Sequence, residues 1–413
     1  MTDSDVRVLI SAYACRPHMG SEAEVGWSMA RELAKNHLVW VVTRSDNRLA
    51  IEAEMAKNPV SSLQFIYHNL PWTRWWNPGV QIHYYLWQLK TYFVARQLHH
   101  QINFDLVHHV TYVKYWSPSF LALLPIPFIW GPVGGADSTP KPFWRDFSWR
   151  GKAYETLRDW ARWLSEYDPF VRLTAQRSVF AQATTTATAE RLHYLGATNV
   201  HVASEVGLSS AEIADLAEPS TAKSQTLRVV SLGRLLHWKG FHLGLRAFAH
   251  AELPPLTEYW IMGQGPESNR LQALAKSLGI AQQVKFWGEL SRPDVLDMLK
   301  TCHILLHPSL HESGGWVCIE AMASGLPILC LDLGGPATQV TTTTGIKVPV
   351  YTPEQTVLDL ATAMTDLAND STLRTRMGKA GQQRINKVYN WTGIAQNWTH
   401  WYSEILQQQD HDT

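Results

Sequence analysis

Leu227-Arg-Val-Val-Ser-Leu-Gly-Arg-Leu-Leu-His-Trp-Lys-Gly-Phe-His-Leu-Gly-Leu-Arg-Ala-Phe-Ala-His250 reads as a strand, a loop and a helix. The short run Leu227–Leu232, apolar except for Arg228 and Ser231 and centred on Val229 and Val230, reads as a strand. Phe241–His250 then carries apolar residues at helical spacing. The same alternation continues with strands at Tyr259–Met262, Val284–Trp287, His303–Pro308 and Pro327–Asp332. Helices at Asn269–Leu278, Pro293–Lys300 and Val317–Ser324 lie between them. Strand and helix in turn predict a doubly wound α/β domain with a parallel sheet.

Reading outward toward the N-terminus gives a second such domain. Val6–Ala12 is a strand, a helical pattern runs through Val25, Met29, Leu33 and Ala34, and Leu38–Thr43 is the next strand. Further strands are expected at Leu63–Tyr67, Leu106–Val110, Pro127–Trp130 and Ser178–Thr186. Residues 209–226 are small, polar and acidic with one proline, which suggests a linker. The expected layout is a domain at 1–208, a linker at 209–226, a domain at 227–388, and a C-terminal helix at 389–413 packing back toward the first domain. Two such domains would face a cleft at the carboxyl ends of their strands, so functional residues should sit in loops just after strands.

Composition narrows the function. The chain has 413 residues, 45% hydrophobic and 17% charged, with 36 basic and 36 acidic side chains. That is globular, and the zero net charge speaks against bulk nucleic-acid binding. Cys15, Cys302, Cys318 and Cys330 have no zinc-ligand spacing, as in a reduced cytoplasmic chain. The N-terminus is polar first and only briefly apolar, so no signal peptide is expected. The uncharged run Trp116–Ala136 has the length of a membrane span, but four prolines and three glycines break it.

Two loops of the second domain carry chemistry. Glu312-Ser-Gly-Gly-Trp-Val-Cys-Ile-Glu320 follows a strand and opens a helix. Gly314, Gly315 and Trp316 at that helix start offer backbone N–H groups and a dipole to an anion. Glu320, about one turn inside, would reach hydroxyls attached to it. Solvated surface acids and ordinary capping explain the same residues. In Ser231–Gly240 the cations Arg234 and Lys239 stand beside the first strand of the domain. Arg offers a fork for phosphate oxygens and Lys a point charge, though a solvated basic loop reads alike. Together the loops describe a nucleoside-diphosphate site.

These residues resemble the retaining GT-B glycosyltransferases of family four. The E-x7-E pattern is matched by Glu312 and Glu320, the Arg/Lys pair by Arg234 and Lys239, and the G-x-G-P turn by Gly263-Gln-Gly-Pro266. Phe286-Trp287-Gly288 is similar to the family's nucleobase strand, Trp391 to the aromatic before its last helix, and Gly20-Ser21-Glu22 to its N-terminal loop. The resemblance implies a GT-B fold and hexose transfer from a nucleotide sugar to a saccharide or lipid-linked acceptor, as in exopolysaccharide, lipopolysaccharide or glycolipid synthesis. It implies that Glu320 holds the ribose, Glu312 contacts the donor sugar, and Arg234 and Lys239 replace a metal, so no cofactor is expected. Gly334-Gly335-Pro-Ala-Thr-Gln339 departs from the family's GG-x-x-E. The family also places a histidine near the donor sugar, and either His108 or His109 fits as a catalytic candidate. Alternatives are a sugar-phosphate synthase of the same fold and a non-catalytic nucleotide-sugar-binding protein. Pro71–Trp76 and Lys141–Trp163 mix Trp with Arg and Lys, which suits a peripheral contact with the inner face of a membrane, a sugar-stacking surface or a core helix.

Overall fold

The computed structural model describes residues 6–70, 80–218 and 226–412. The segment Pro71–Trp76 therefore lies outside the described residues. Contacts divide the chain into two units. Unit 1 comprises 1–136, 159–205 and 391–413, and unit 2 comprises 137–158 and 206–390.

Unit 1 is built on a parallel sheet of β1 (Arg7–Ala12), β2 (Leu38–Arg44), β3 (Leu63–His68), β4 (Leu106–Thr111), β5 (Phe128–Val133), β6 (Ser178–Ala183) and β7 (Val200–Val202), in the order β3-β2-β1-β4-β5-β6-β7. The run Trp116–Ala136 delivers β5, which is buried along its whole length. No helix among the described residues is long and apolar enough to cross a membrane. The helix Trp391–Asp412 belongs to this unit, where it packs on the helix Ser21–Leu33. Its Trp398 and Tyr402 are fully buried.

His108 and His109, neighbours on β4, point to opposite faces of the sheet, and both are completely buried. His108 is held at both ring nitrogens, by Tyr402 Oη at 2.6 Å and the Gly131 carbonyl at 2.7 Å, with Trp398 against its ring. This is the setting of a core histidine, because no ring nitrogen is left for a substrate. His109 Nε2 meets Tyr84 Oη and Gln88 Nε2, each at 3.0 Å.

Unit 2 repeats the design with β8 (Arg228–Leu232), β9 (Glu258–Met262), β10 (Val284–Gly288), β11 (Ile304–His307), β12 (Ile328–Leu331) and β13 (Gly345–Val348). The order is β10-β9-β8-β11-β12-β13, again all parallel. Two boundaries differ from those expected. Residues 210–217 form a helix rather than a linker. Ser209 and Glu212 close a capping box at its start, and Ile213 and Leu216 are buried beside Val206 and Leu208. Residues 137–158 join unit 2 rather than unit 1 because Phe143 and Phe147 insert into its core with Leu243 and Phe248.

The buried histidines give unit 1 an acid sensitivity. Burial pushes both His108 and His109 down to about 3, against an ordinary value of 6.5. Below pH 6.5 the unfolded chain takes up protons that the folded chain refuses, so stability falls with pH until the folded groups titrate near 3. Each group contributes at most about 1.4 kcal/mol per pH unit. The melting temperature is expected to decline from pH 7 to pH 5, and a flat profile would contradict this.

Candidate functional site

In unit 2 the order of the strands reverses between β8 and β11, which place their following loops side by side. This is the switch point at which open α/β sheets hold ligands. The turn after β8 carries Arg234 and Lys239 and ends at Gly240, φ 68°. A Cβ on Gly240 would stand 1.8 Å from the Pro308 carbonyl in the loop after β11, so only glycine permits this approach. The closeness lets Lys239 Nζ donate to Glu312 Oε2. Lys239 and Glu312 are mostly buried, with side chains 18% and 21% exposed.

Burial alone would raise the pKa of Glu312. The charge of Lys239, with His307 and His311 near it, outweighs burial and holds the carboxyl below its ordinary value. His307 Nε2 lies 3.8 Å from Glu312, and burial pushes that imidazole down to about 4. Glu312 is thus an anion at neutral pH, paired with one cation. Arg234 stands exposed in the same turn; its carbonyl accepts the Leu236 N–H at 2.8 Å, and its guanidinium has no hydrogen-bond or ion-pair partner among the described residues. The phosphate-binding fork read from the sequence is therefore open to solvent.

The helix Trp316–Ala323 begins behind Gly315, which adopts φ 66° at its cap. Its first N–H groups point toward the loop that holds Gly314. Glu320 lies inside this helix with its side chain only 5% exposed, 2.6 Å from Arg292 Nη1. Burial raises its pKa, and Arg292 offsets part of the effect. Arg292 also meets Glu212 at 3.3 Å, so an Arg bridge ties Glu320 to the capping box at Ser209. The Gly334-Gly335 turn supports the same loop, since Gly335 N–H donates to the Glu312 carbonyl at 2.7 Å.

Gly263 and Trp287, expected near the nucleobase or the donor, lie at the carboxyl ends of the neighbouring strands β9 and β10. A Cβ on Gly263 would meet the Gly233 carbonyl at 2.1 Å, so this glycine lets the loops after β8 and β9 touch. Trp287, at the end of the edge strand β10, is 41% exposed and makes an edge contact with Trp260 at 5.1 Å.

In unit 1 the ends of β1 and β4 gather a second polar cluster. Gly20 and Ser21 hold positive φ values of 64° and 57° at the cap and first residue of the helix that carries Glu22. Glu22 accepts the backbone N–H of Tyr112, and burial raises its pKa. Tyr13 packs edge-on against Tyr84 at 5.2 Å and Trp87 at 5.1 Å, beside the Tyr84–His109 hydrogen bond. His109 therefore shares a cluster with Glu22's neighbours, whereas His108 faces the C-terminal helix. The aromatic members come from the loop after β1 (Tyr13) and the helix Val80–Ile102 (Tyr84, Trp87), and had no common sequence signal.

Residues 213–384 match the family model of the glycosyl transferases group 1. A D-inositol 3-phosphate glycosyltransferase of Corynebacterium kroppenstedtii is 30% identical over 192 residues, 44% of this chain and 42% of that protein. The lipopolysaccharide core biosynthesis glycosyltransferase LpsE of Rhizobium meliloti is 30% identical over 160 residues, 38% of this chain and 44% of that protein. The matched region thus spans less than half the length of these curated relatives. Among solved structures, sucrose-phosphate synthase from Thermosynechococcus elongatus superposes with a TM-score of 0.66 at 17% identity, covering 98% of this chain and 100% of that one. Anabaena HepE in complex with UDP and glucose gives 0.61 at 17% identity, covering 97% and 100%. The structural likeness establishes the fold: two Rossmann-like parallel-sheet units of the GT-B type.

If Lys239 neutralises a phosphate, Lys239→Ala should reduce affinity for a nucleoside diphosphate by about 2–5 kcal/mol while the protein stays folded. Calorimetry with folding checked by circular dichroism measures both. Unchanged affinity would remove the phosphate assignment.

Proposed function

We propose that this protein is a retaining family-four glycosyltransferase, moving a hexose from a nucleoside-diphosphate sugar to a saccharide or lipid-linked acceptor. One observation carries the reading. The Lys239–Glu312 pair sits at the β8/β11 switch point, with unpaired Arg234 in the same turn and a helix start behind it. In this reading Arg234, Lys239 and the N–H groups at Gly315 and Trp316 receive the diphosphate. Glu320 takes ribose hydroxyls, Trp287 lies on the nucleobase side, and Glu312 takes donor-sugar hydroxyls. Unit 1 binds the acceptor, with Gly20, Ser21 and Glu22 in its loop. The relatives and neighbours quoted above support the class of reaction through their own names.

Negative charge builds on the diphosphate as the glycosidic bond breaks, and fixed cations and N–H groups stabilise it most at that moment. Arg234 and Lys239 supply the charge a divalent ion would otherwise bring, so we propose turnover without metal. The departing phosphate oxygen takes the acceptor's proton on the same face of the sugar. That sequence needs no protein base, and neither His108 nor His109 is assigned one. A sugar-phosphate synthase would want a basic pocket in unit 1. There Arg44 is already engaged, over the Tyr13 ring at 4.5 Å and beside Asp46 at 3.3 Å.

The aromatics of Lys141–Trp163 divide. Trp144 turns inward, donating to the Thr139 carbonyl, while Trp149, Leu157, Trp160 and Trp163 are exposed on the helix Trp149–Ser165 with Arg150 and Lys152 nearby. Exposed Trp beside cations suits headgroup depth at an anionic inner leaflet, and we assign the protein a peripheral membrane contact through this helix.

Proton NMR of the first product from an α-linked donor, run in EDTA, tests the chemistry. A small coupling at the new anomeric proton is expected. A large diaxial coupling in a gluco-configured product, or turnover that Mg²⁺ alone restores, would overturn it. Flotation with anionic liposomes at low salt tests the membrane contact. The protein should rise with the vesicles, and Trp160→Ser should weaken this. Failure of the wild type to float would leave these aromatics without a membrane role.

A further inference from the structure

The segment Asp137–Arg158 lies outside the region that matches the family model, yet it places a carboxylate in unit 2. Glu155 has no exposed surface. Three partners reach it: His237 Nε2 at 3.0 Å, Arg158 Nη1 at 3.3 Å and His311 Nε2 at 3.5 Å. A carboxylate withdrawn from water persists only where partners meet it. Burial would raise its pKa, but the two histidines and Arg158 outweigh burial and hold it far below the ordinary carboxylate range.

The partners matter because of where they stand. His237 is in the turn after β8, two residues before Lys239, and His311 is in the loop after β11, next to Glu312. Between them the Trp238 ring is stacked on Tyr154 at 5.2 Å and on His311 at 5.0 Å. Leu310 N–H donates to the Trp238 carbonyl at 2.7 Å. On the far side of Glu312, Ser313 Oγ donates to Asp137 at 3.1 Å, and Arg158 donates to the Asp137 carbonyl at 2.7 Å. One segment therefore grips both loops, on either side of the Lys239–Glu312 pair.

We propose that Glu155 is a positioning residue for the nucleotide site: its buried carboxylate ties the turn after β8 to the loop after β11 and so sets the placement of Lys239 against Glu312. The inference rests on the nucleotide-sugar reading. It adds that the phosphate cradle depends on a helix outside the domain's own run of sequence.

The test uses the full chain. UDP, GDP and ADP are titrated into the wild type by calorimetry, and the tightest is carried to Glu155→Gln, His237→Gln and the double variant, with melting temperatures recorded. Each single variant, titrated well below its own melting temperature, should lose about tenfold or more in affinity, and the double variant should be no worse than either single one, as for residues sharing one contact. Some loss of melting temperature is expected from neutralising a buried, partnered carboxylate; a purely structural role would lower it while the folded variants bind as the wild type does, or would give additive affinity losses, and either result overturns the proposal. So does a Glu155→Gln variant that binds as the wild type does. Should Glu155→Gln not fold, His237→Gln decides alone, and wild-type affinity there overturns the proposal. If the wild type binds none of the three nucleotides, the donor reading fails instead, and this inference falls with it.

Discussion

The ion pair between Lys239 and Glu312 is the contact on which the candidate site of unit 2 depends. Two charges that are mostly out of water must stay together, because removing either one strands the other. That requirement fixes the turn after β8 against the loop after β11, and Gly240 is the residue that lets the backbones come close enough. The remaining features arrange themselves around the pair. Among the described residues the Arg234 guanidinium is left unpaired on the solvent side, Glu320 is locked to Arg292, and Gly335 steadies the carbonyl of Glu312. A cradle with one compensated and one uncompensated cation is suited to an incoming dianion. The compensated lysine needs no large rearrangement to share its charge, and the open arginine supplies a fork.

Much of unit 2 was legible because its central strands β8, β11 and β12 are almost wholly buried and its candidate site residues are local in sequence. Ser231–Gly240 and Glu312–Glu320 each span one strand-end loop, so their spacing carries the geometry. What escaped was non-local. Nothing in the order of residues says that Phe143 and Phe147 fill a core begun by β8, because that depends on partners some hundred residues away. Glu155 was hidden for the same reason, and Arg292 lay in a plain helix start whose acid partners come from two other helices. The helix at 210–217 was missed for a different cause. Its Ser209-x-x-Glu212 capping box is a sequence signal, outweighed by the small and acidic composition around it.

The histidines show how one residue type takes opposite parts. With 18 in the chain, position alone could not separate them. His108 is a neutral bridge between Gly131 and Tyr402, bound into the core by the C-terminal helix. His237 and His311 instead gather at a buried anion in unit 2. Burial with no charge partner pushes the His108 pKa down, whereas His237 and His311 stand 3.0 and 3.5 Å from the Glu155 carboxylate. The contacts, not the β-strand context, decide which.

The central claim is that the loops after β8 and β11 form a receptor for a nucleoside diphosphate. Thermal denaturation of the wild-type chain with UDP, GDP and ADP, in metal-free buffer, tests this most directly. Anything that binds the folded state alone raises the melting temperature by mass action. The account predicts a concentration-dependent rise with at least one nucleoside diphosphate and a much smaller rise with the matching nucleoside, which lacks the phosphates that Arg234 and Lys239 would meet. Equal shifts for diphosphate and nucleoside, or none for any of the three nucleotides, would contradict it.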